Sequence, residues 1–298
     1  MAVIIVHGSV ETSEAVPYIQ GLRAAAENGY QRLASGRMEA VLAAVNALED
    51  NPLFNAGFGS VLNLDGHVEV DGSIMDGHTG RFAGVAAMPN TRYAITTAYQ
   101  LMHHSKHVLL AGAGAAKFAR AQGIPEDDCV TEEQRASYQH AMRLLADGKE
   151  LTFSPYTGLA KETDTVGCVV VDAHGRLAAG SSTGGSFLKH PGRVGDTPVI
   201  GGGIFASDVA AVVCTGRGEA FIQTLTAKYV DDEIRAGGHP QQVAVAAVER
   251  MRRITGENGG VIVVGSDARI GIAHNCASFP VFAVIDGKSQ PCLQTKIS

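Results

Sequence analysis

Thr165 stands in the stretch Thr163-Asp164-Thr165-Val166-Gly167-Cys168-Val169-Val170-Val171-Asp172, where a polar, turn-prone approach meets a run of buried-strand type. A threonine at such a junction is most often an ordinary strand residue. The stretches that follow give it company: Ser182-Thr183-Gly184-Gly185, Gly192-Arg193-Val194-Gly195-Asp196 and Thr215-Gly216-Arg217-Gly218-Glu219. A threonine hydroxyl is a weak nucleophile until a base takes its proton. A freed α-amino group, with an ordinary pKa of about 7.7–8, is a base near neutral pH on the same residue. That arrangement requires the peptide bond before Thr165 to break. Together these segments are the parts of an amide-hydrolysing site whose nucleophile is an N-terminal threonine.

The ordered series extends upstream. Asn51-Pro52-Leu53-Phe54-Asn55-Ala56-Gly57-Phe58-Gly59-Ser60-Val61 and Asp71-Gly72-Ser73-Ile74-Met75-Asp76-Gly77 precede Asp164-Thr165-Val166-Gly167 and the three stretches above. Over most of its length the chain resembles the plant-type asparaginase and isoaspartyl peptidase family of N-terminal-nucleophile hydrolases. The resemblance implies an α+β fold, an αββα sandwich, as one domain over 1–298. It implies self-cleavage between Asp164 and Thr165 into chains 1–164 and 165–298. Thr165 is then nucleophile and general base, Thr183 hydrogen-bonds its hydroxyl, and Thr215 with the backbone of Gly216 stabilises the oxyanion. Asn55 supports the nucleophile's surroundings.

A β-aspartyl substrate presents an α-carboxylate and an α-ammonium. Arg193 offers a planar fork for the first and Asp196 the opposite charge for the second, with Thr215, Gly216 and Gly218 beside them. A substrate lacking either charge leaves a desolvated ion unpaired. The loop from Leu48 to Phe58 resembles a family loop that wraps sodium with backbone carbonyls, making Leu48, Glu49, Asn51, Phe54, Ala56 and Phe58 the candidate donors. No cofactor is otherwise expected. A homodimer of processed units is expected from the resemblance alone. L-Asparagine and isoaspartyl dipeptides share the recognised half; a glycosylasparaginase-like amidase is the near alternative. Two departures stand out. His7-Gly8-Ser9-Val10 replaces a glycine-rich turn, where glycines would allow positive φ that Ser and Val resist. Gly72 stands where alanine is usual.

The elements that must position these residues are short. Helical spacing of apolar residues predicts helices over 37–50, 131–147, 219–235 and 240–253. Glycine-bounded strands are predicted at 3–6, 68–74, 82–87, 166–171, 177–182, 211–214, 260–264, 270–273 and 281–285. Asp172-Ala173-His174-Gly175-Arg176 reads as a hairpin turn. Hairpins grouped apart from helices point to antiparallel sheets covered by helices. The polar segment before Thr165 reads as a loose loop open to cutting.

Composition excludes several classes. A net charge of −6 without clustered Lys and Arg argues against nucleic-acid binding. No apolar run is long enough to span a membrane, and the N-terminus reads as a strand rather than a signal peptide, so the expected compartment is cytoplasmic. The five cysteines, an odd count without paired spacing, suit reduced thiols. Three rival readings exist. Val108 to Lys117 looks like a strand feeding a Gly-x-Gly turn, as in a dinucleotide site, but Lys117 occupies the third glycine position. His103 and His107 could ligate zinc from one helix face. The third is a binder of β-aspartyl compounds that never matures into an enzyme, a reading that the altered turn at Ser9-Val10 keeps open.

Overall fold

A computed structural model describes residues 1–10, 16–149, 165–291 and 295–297. The chain opens with β1 (Val3–His7), α1 (Val16–Arg32) and α2 (Arg37–Glu49). β2 (Glu69–Asp76), β3 (Arg81–Pro89), α3 (Ala94–His104), β4 (Leu109–Ala111), α4 (Gly112–Ala121) and α5 (Glu132–Ala146) follow. After Thr165 come β5 (Val166–Val171), β6 (Leu177–Thr183), β7 (Ile204–Ala206), β8 (Ala210–Gly216), α6 (Gly218–Thr224), α7 (Thr226–Arg235) and α8 (Pro240–Thr255). The remainder is β9 (Gly259–Gly265), β10 (Ile270–His274), β11 (Val281–Ile285), β12 (Lys288–Pro291) and β13 (Thr295–Lys296).

Among the described residues the strands form two sheets, ordered β12-β11-β1-β5-β6-β2-β3-β4 and β13-β10-β9-β8-β7. Pairing is antiparallel except for β3 with β4 and β10 with β13. Side-chain alternation along the central strands shows how the layers stack, because successive residues face opposite sides of a sheet. In β5, Val166, Cys168 and Val170 join a core with helices α1 to α3, whereas Val169 and Val171 join a core shared by the two sheets. β1 divides likewise, with Ile4 and Val6 on one side and Val3 and Ile5 on the other. In the second sheet, Val213 and Ile262 face the shared core while Val212 and Val263 pack on α7 and α8. Covered on both faces, these strands read as continuous apolar runs.

The expected α+β class holds. Residues 166–171 and 281–285 form strands as predicted, and the turn at Asp172 closes the β5–β6 hairpin, with Asp172 N–H donating to the Arg176 carbonyl at 3.0 Å. α8 begins at Pro240 and ends at Gly256 with φ 77, the usual start and stop of a helix. The helix expected over 219–235 is two helices, broken at Leu225, whose φ of 47 lies in the left-handed region. β11 leaves the hairpin series and pairs with β1 in the other sheet. α4 starts at Gly112 directly after β4, so both glycines fall within the helix and no glycine-rich turn is left for a pyrophosphate. α3 stops at His104 and Ser105 is extended, so His107 shares no helix face with His103. Among the described residues no group of three or more His, Cys, Asp or Glu could hold a metal ion, and no helix is long and apolar enough to cross a membrane. Cys129, Cys168 and Cys214 are buried free thiols and Cys276 is buried; Cys292 lies outside the described residues.

Candidate active site

The side-chain alternation that builds the shared core also gathers the hydroxyls. Val166 pairs with Ser182, which puts Thr165 and Thr183 at the same end of the β5–β6 ladder. Both are buried and line one small pocket with Gly185, Ser186, Arg193, Gly195, Asp196, Gly216 and Gly218. Asp164 and the segment before it lie outside the described residues. Thr215, at the end of β8, does not line the pocket; it is wholly buried, with its Oγ1 3.0 Å from Ser9 Oγ. Asn55 also stands behind the wall. Its Nδ2 donates to the Gly185 carbonyl at 2.7 Å, and its Oδ1 accepts from Val61 N–H at 2.9 Å. It therefore braces the turn after β6, where Gly185 N–H donates to Thr183 Oγ1 at 2.9 Å.

The charged wall holds a contact that the sequence reading did not include: Arg193 donates to Glu219, through Nε to Oε1 at 2.9 Å and Nη2 to Oε2 at 2.8 Å. Burial disfavours the guanidinium charge, and the bidentate Glu219 contact more than offsets this, so its pKa lies above the ordinary value. With 17% of its side chain exposed, Arg193 is not a surface ion pair. Asp196 is 3% exposed, and its Oδ2 has no hydrogen-bond partner among the described residues. Burial pushes its carboxyl up to about 7. A Cβ at Gly218 would lie 2.9 Å from both Asp196 N and Oδ1, so glycine is what leaves that carboxylate approachable. Asp71 holds the loop from below, with Oδ2 accepting from Gly195 N–H at 3.1 Å and Oδ1 from Ala87 N–H at 2.7 Å. Burial raises its pKa, opposed by the charge of the buried Lys189.

Glu219 lies inside a motif the sequence singles out, but only a search for Arg193's own partner would have found it. Asp71 and Lys189 carry no sequence signal of their own. A wider apolar groove of about 550 Å³, lined by Phe82, Met102, Val108, Leu109 and Ile200 among others, runs along the β3–β4 edge and contains none of these residues.

The candidate sodium loop starts in α2. The carbonyls of Leu48, Glu49 and Asn51 accept from the N–H groups of Asn51, Phe58 and Phe54, at 3.2, 2.8 and 3.1 Å. A Cβ at Gly57 would meet Glu49 O at 2.6 Å and Arg92 O at 2.8 Å, and one at Gly59 would meet Pro52 O at 2.7 Å and Phe54 O at 3.0 Å. These are neutral backbone oxygens, the donor type a hard cation takes, and those of Leu48, Glu49 and Asn51 each already accept one N–H.

The model of the asparaginase family matches residues 1–292. The plant-type L-asparaginase of Pyrococcus furiosus is 41% identical over 98% of this chain and 99% of its own. The isoaspartyl peptidase of Salmonella typhimurium is 36% identical over 92% of each chain. The isoaspartyl peptidase/L-asparaginase of Bos taurus is 37% identical over 96% and 94%. With a two-sheet α+β fold and these matches, the chain is an amide hydrolase, and it belongs to the asparaginase family.

Proposed function

We propose that this protein is a cytoplasmic hydrolase of β-aspartyl amide bonds, acting on isoaspartyl dipeptides and L-asparagine after cutting itself before Thr165. The observation that carries this reading is the shared lining of one pocket by Thr165, Thr183, Arg193, Asp196 and Gly216. The stacking of helices, sheet, sheet and helices fits the αββα sandwich of N-terminal-nucleophile hydrolases.

The chemistry follows from the residues. The Thr165 amine takes the hydroxyl proton as Oγ attacks the amide carbon. The charge that develops on the former carbonyl oxygen is met by the N–H of Gly216 in the pocket wall and by the hydroxyl of Thr215, the residue before it in β8, directly behind that wall. The amine delivers the proton to the leaving nitrogen, and water, activated by the same amine, then cleaves the β-aspartyl ester. Arg193 binds the α-carboxylate, by sharing its fork with Glu219 or releasing it. Asp196 meets the α-ammonium with its unpartnered Oδ2. A sodium ion on the carbonyls of Leu48, Glu49, Asn51, Phe54, Ala56 and Phe58 would brace the loop that carries Asn55, and no step passes through it. The working unit is a homodimer of processed chains.

Replacing Thr165 with Ala removes nucleophile and hydroxyl together. The Thr165→Ala protein should remain one chain and release neither ammonia from asparagine nor amino acid from an isoaspartyl dipeptide. Turnover by that variant above background would remove Thr165 from the role.

A further inference from the structure

Ser9 occupies a backbone conformation that glycine would adopt more easily. It is fully buried with φ 87, a left-handed conformation that side chains resist. Its N–H donates to His7 Nδ1 at 3.2 Å, and burial holds His7 neutral, with its pKa down to about 3. Val10 takes no positive φ; it packs into the shared core, where a Cβ on Gly260 would lie 3.0 Å from its Cγ1. Gly260 is the ladder partner of Thr215. The turn after β1 is thereby pressed against the end of β8, across the gap between the sheets. What Ser9 has and glycine lacks is a hydroxyl, 3.0 Å from Thr215 Oγ1 and 3.3 Å from the Val10 carbonyl oxygen.

We infer that Ser9 is a positioning residue whose hydroxyl donates to Thr215 Oγ1 and so turns the Thr215 proton toward the substrate oxygen that gains charge. This rests on the oxyanion role proposed for Thr215. A threonine hydroxyl has one proton to give. If Thr215 gave it to Ser9, none would remain for substrate. With Ser9 as donor, the proton is available and the chain from Ser9 through Thr215 to substrate is polarised in one direction, strengthening each bond by about 10–30%. The Val10 carbonyl is the alternative resting place for the Ser9 proton. No covalent bond changes; only the direction of two hydroxyls is set.

The test compares Ser9→Gly, Ser9→Ala, Thr215→Val and the Ser9→Gly/Thr215→Val double variant on an isoaspartyl dipeptide. Rates are expressed per cleaved chain, counted from the mass of the 165–298 fragment. Both Ser9 variants should lose about tenfold in kcat with KM within about twofold, part of the 10²–10³ that loss of an oxyanion donor costs. Ser9→Gly should nevertheless melt above Ser9→Ala, because glycine relieves the φ. The double variant should be no slower than Thr215→Val alone. Ser9→Gly turning over within about twofold of wild type, with Thr215→Val slow, overturns the inference and leaves the Thr215 role standing. A fast Thr215→Val removes both. In any variant that stays uncut, the same four proteins are compared by melting temperature; a non-additive cycle supports the contact and strict additivity overturns it.

Discussion

Asp196 presents a buried carboxylate oxygen without a hydrogen-bond partner among the described residues, in a pocket whose other charge is already neutralised by Glu219. Because burial lifts its carboxyl from 3.8 to about 7, the free protein holds it largely neutral in mild acid. The neutral form cannot offset a substrate ammonium. kcat/KM should therefore fall as pH drops through about 7, while kcat falls less because the bound ammonium favours the carboxylate. Asp196→Asn should make the acid limb of kcat/KM less steep, leaving the part set by the Thr165 amine, and raise KM by roughly 10- to 100-fold, the equivalent of a hydrogen bond to a charged group. An unchanged acid limb in pH–rate profiles of the Asn variant would assign the inflection elsewhere. At this scale much was legible: Thr165, Thr183, Arg193, Asp196, Gly216 and Gly218 share one pocket. The Arg193–Glu219 pairing was not, since nothing in sequence separates a carboxylate that neutralises an arginine from one that competes with its ligand. Ser9 is legible only as a misplaced residue; its contact with Thr215 depends on two sheets approaching.

Helix α2 is tied to the first sheet by Arg37, in its first turn, which donates to Asp76 Oδ1 through Nε at 3.0 Å and Nη2 at 2.5 Å. Burial opposes the Asp76 charge, but Arg37 and the local donors Thr79 and His78 outweigh it, so its pKa lies below the ordinary value. The linkage sign follows: a depressed folded pKa gives stability that is present above the ordinary carboxylate range and is lost as pH falls through the folded value. Arg37→Ala should lower unfolding stability by about 2 kcal/mol at neutral pH. The loss should shrink toward zero in denaturant melts at low pH, whereas an equal loss at every pH would mean that packing, not the ion pair, is responsible. Strands that face two cores announced themselves as apolar runs, which is why β5 and β11 matched to the residue. The break at Leu225 could not be read, because leucine is a good helix former and rarely takes the left-handed conformation it has here. Edge strands β4, β7, β12 and β13 are too short for an alternating pattern.

Across the whole molecule, the strand carrying Thr165 lies between β1 and β6 in the middle of the larger sheet, buried on both faces. In the role proposed for it, Thr165 would be rigidly aimed, and its amine would become available only by cutting the chain. Thr165 and Thr183 share a pocket with Gly216, the residue after Thr215, and Thr215 meets Ser9 across the two sheets, a convergence that no local window of sequence contains. The most direct measurement is the intact mass of the purified protein followed over days. The account predicts two chains, 1–164 and 165–298, accumulating together with β-aspartyl hydrolysis. A single chain that remains whole while hydrolysing β-aspartyl amides would contradict it.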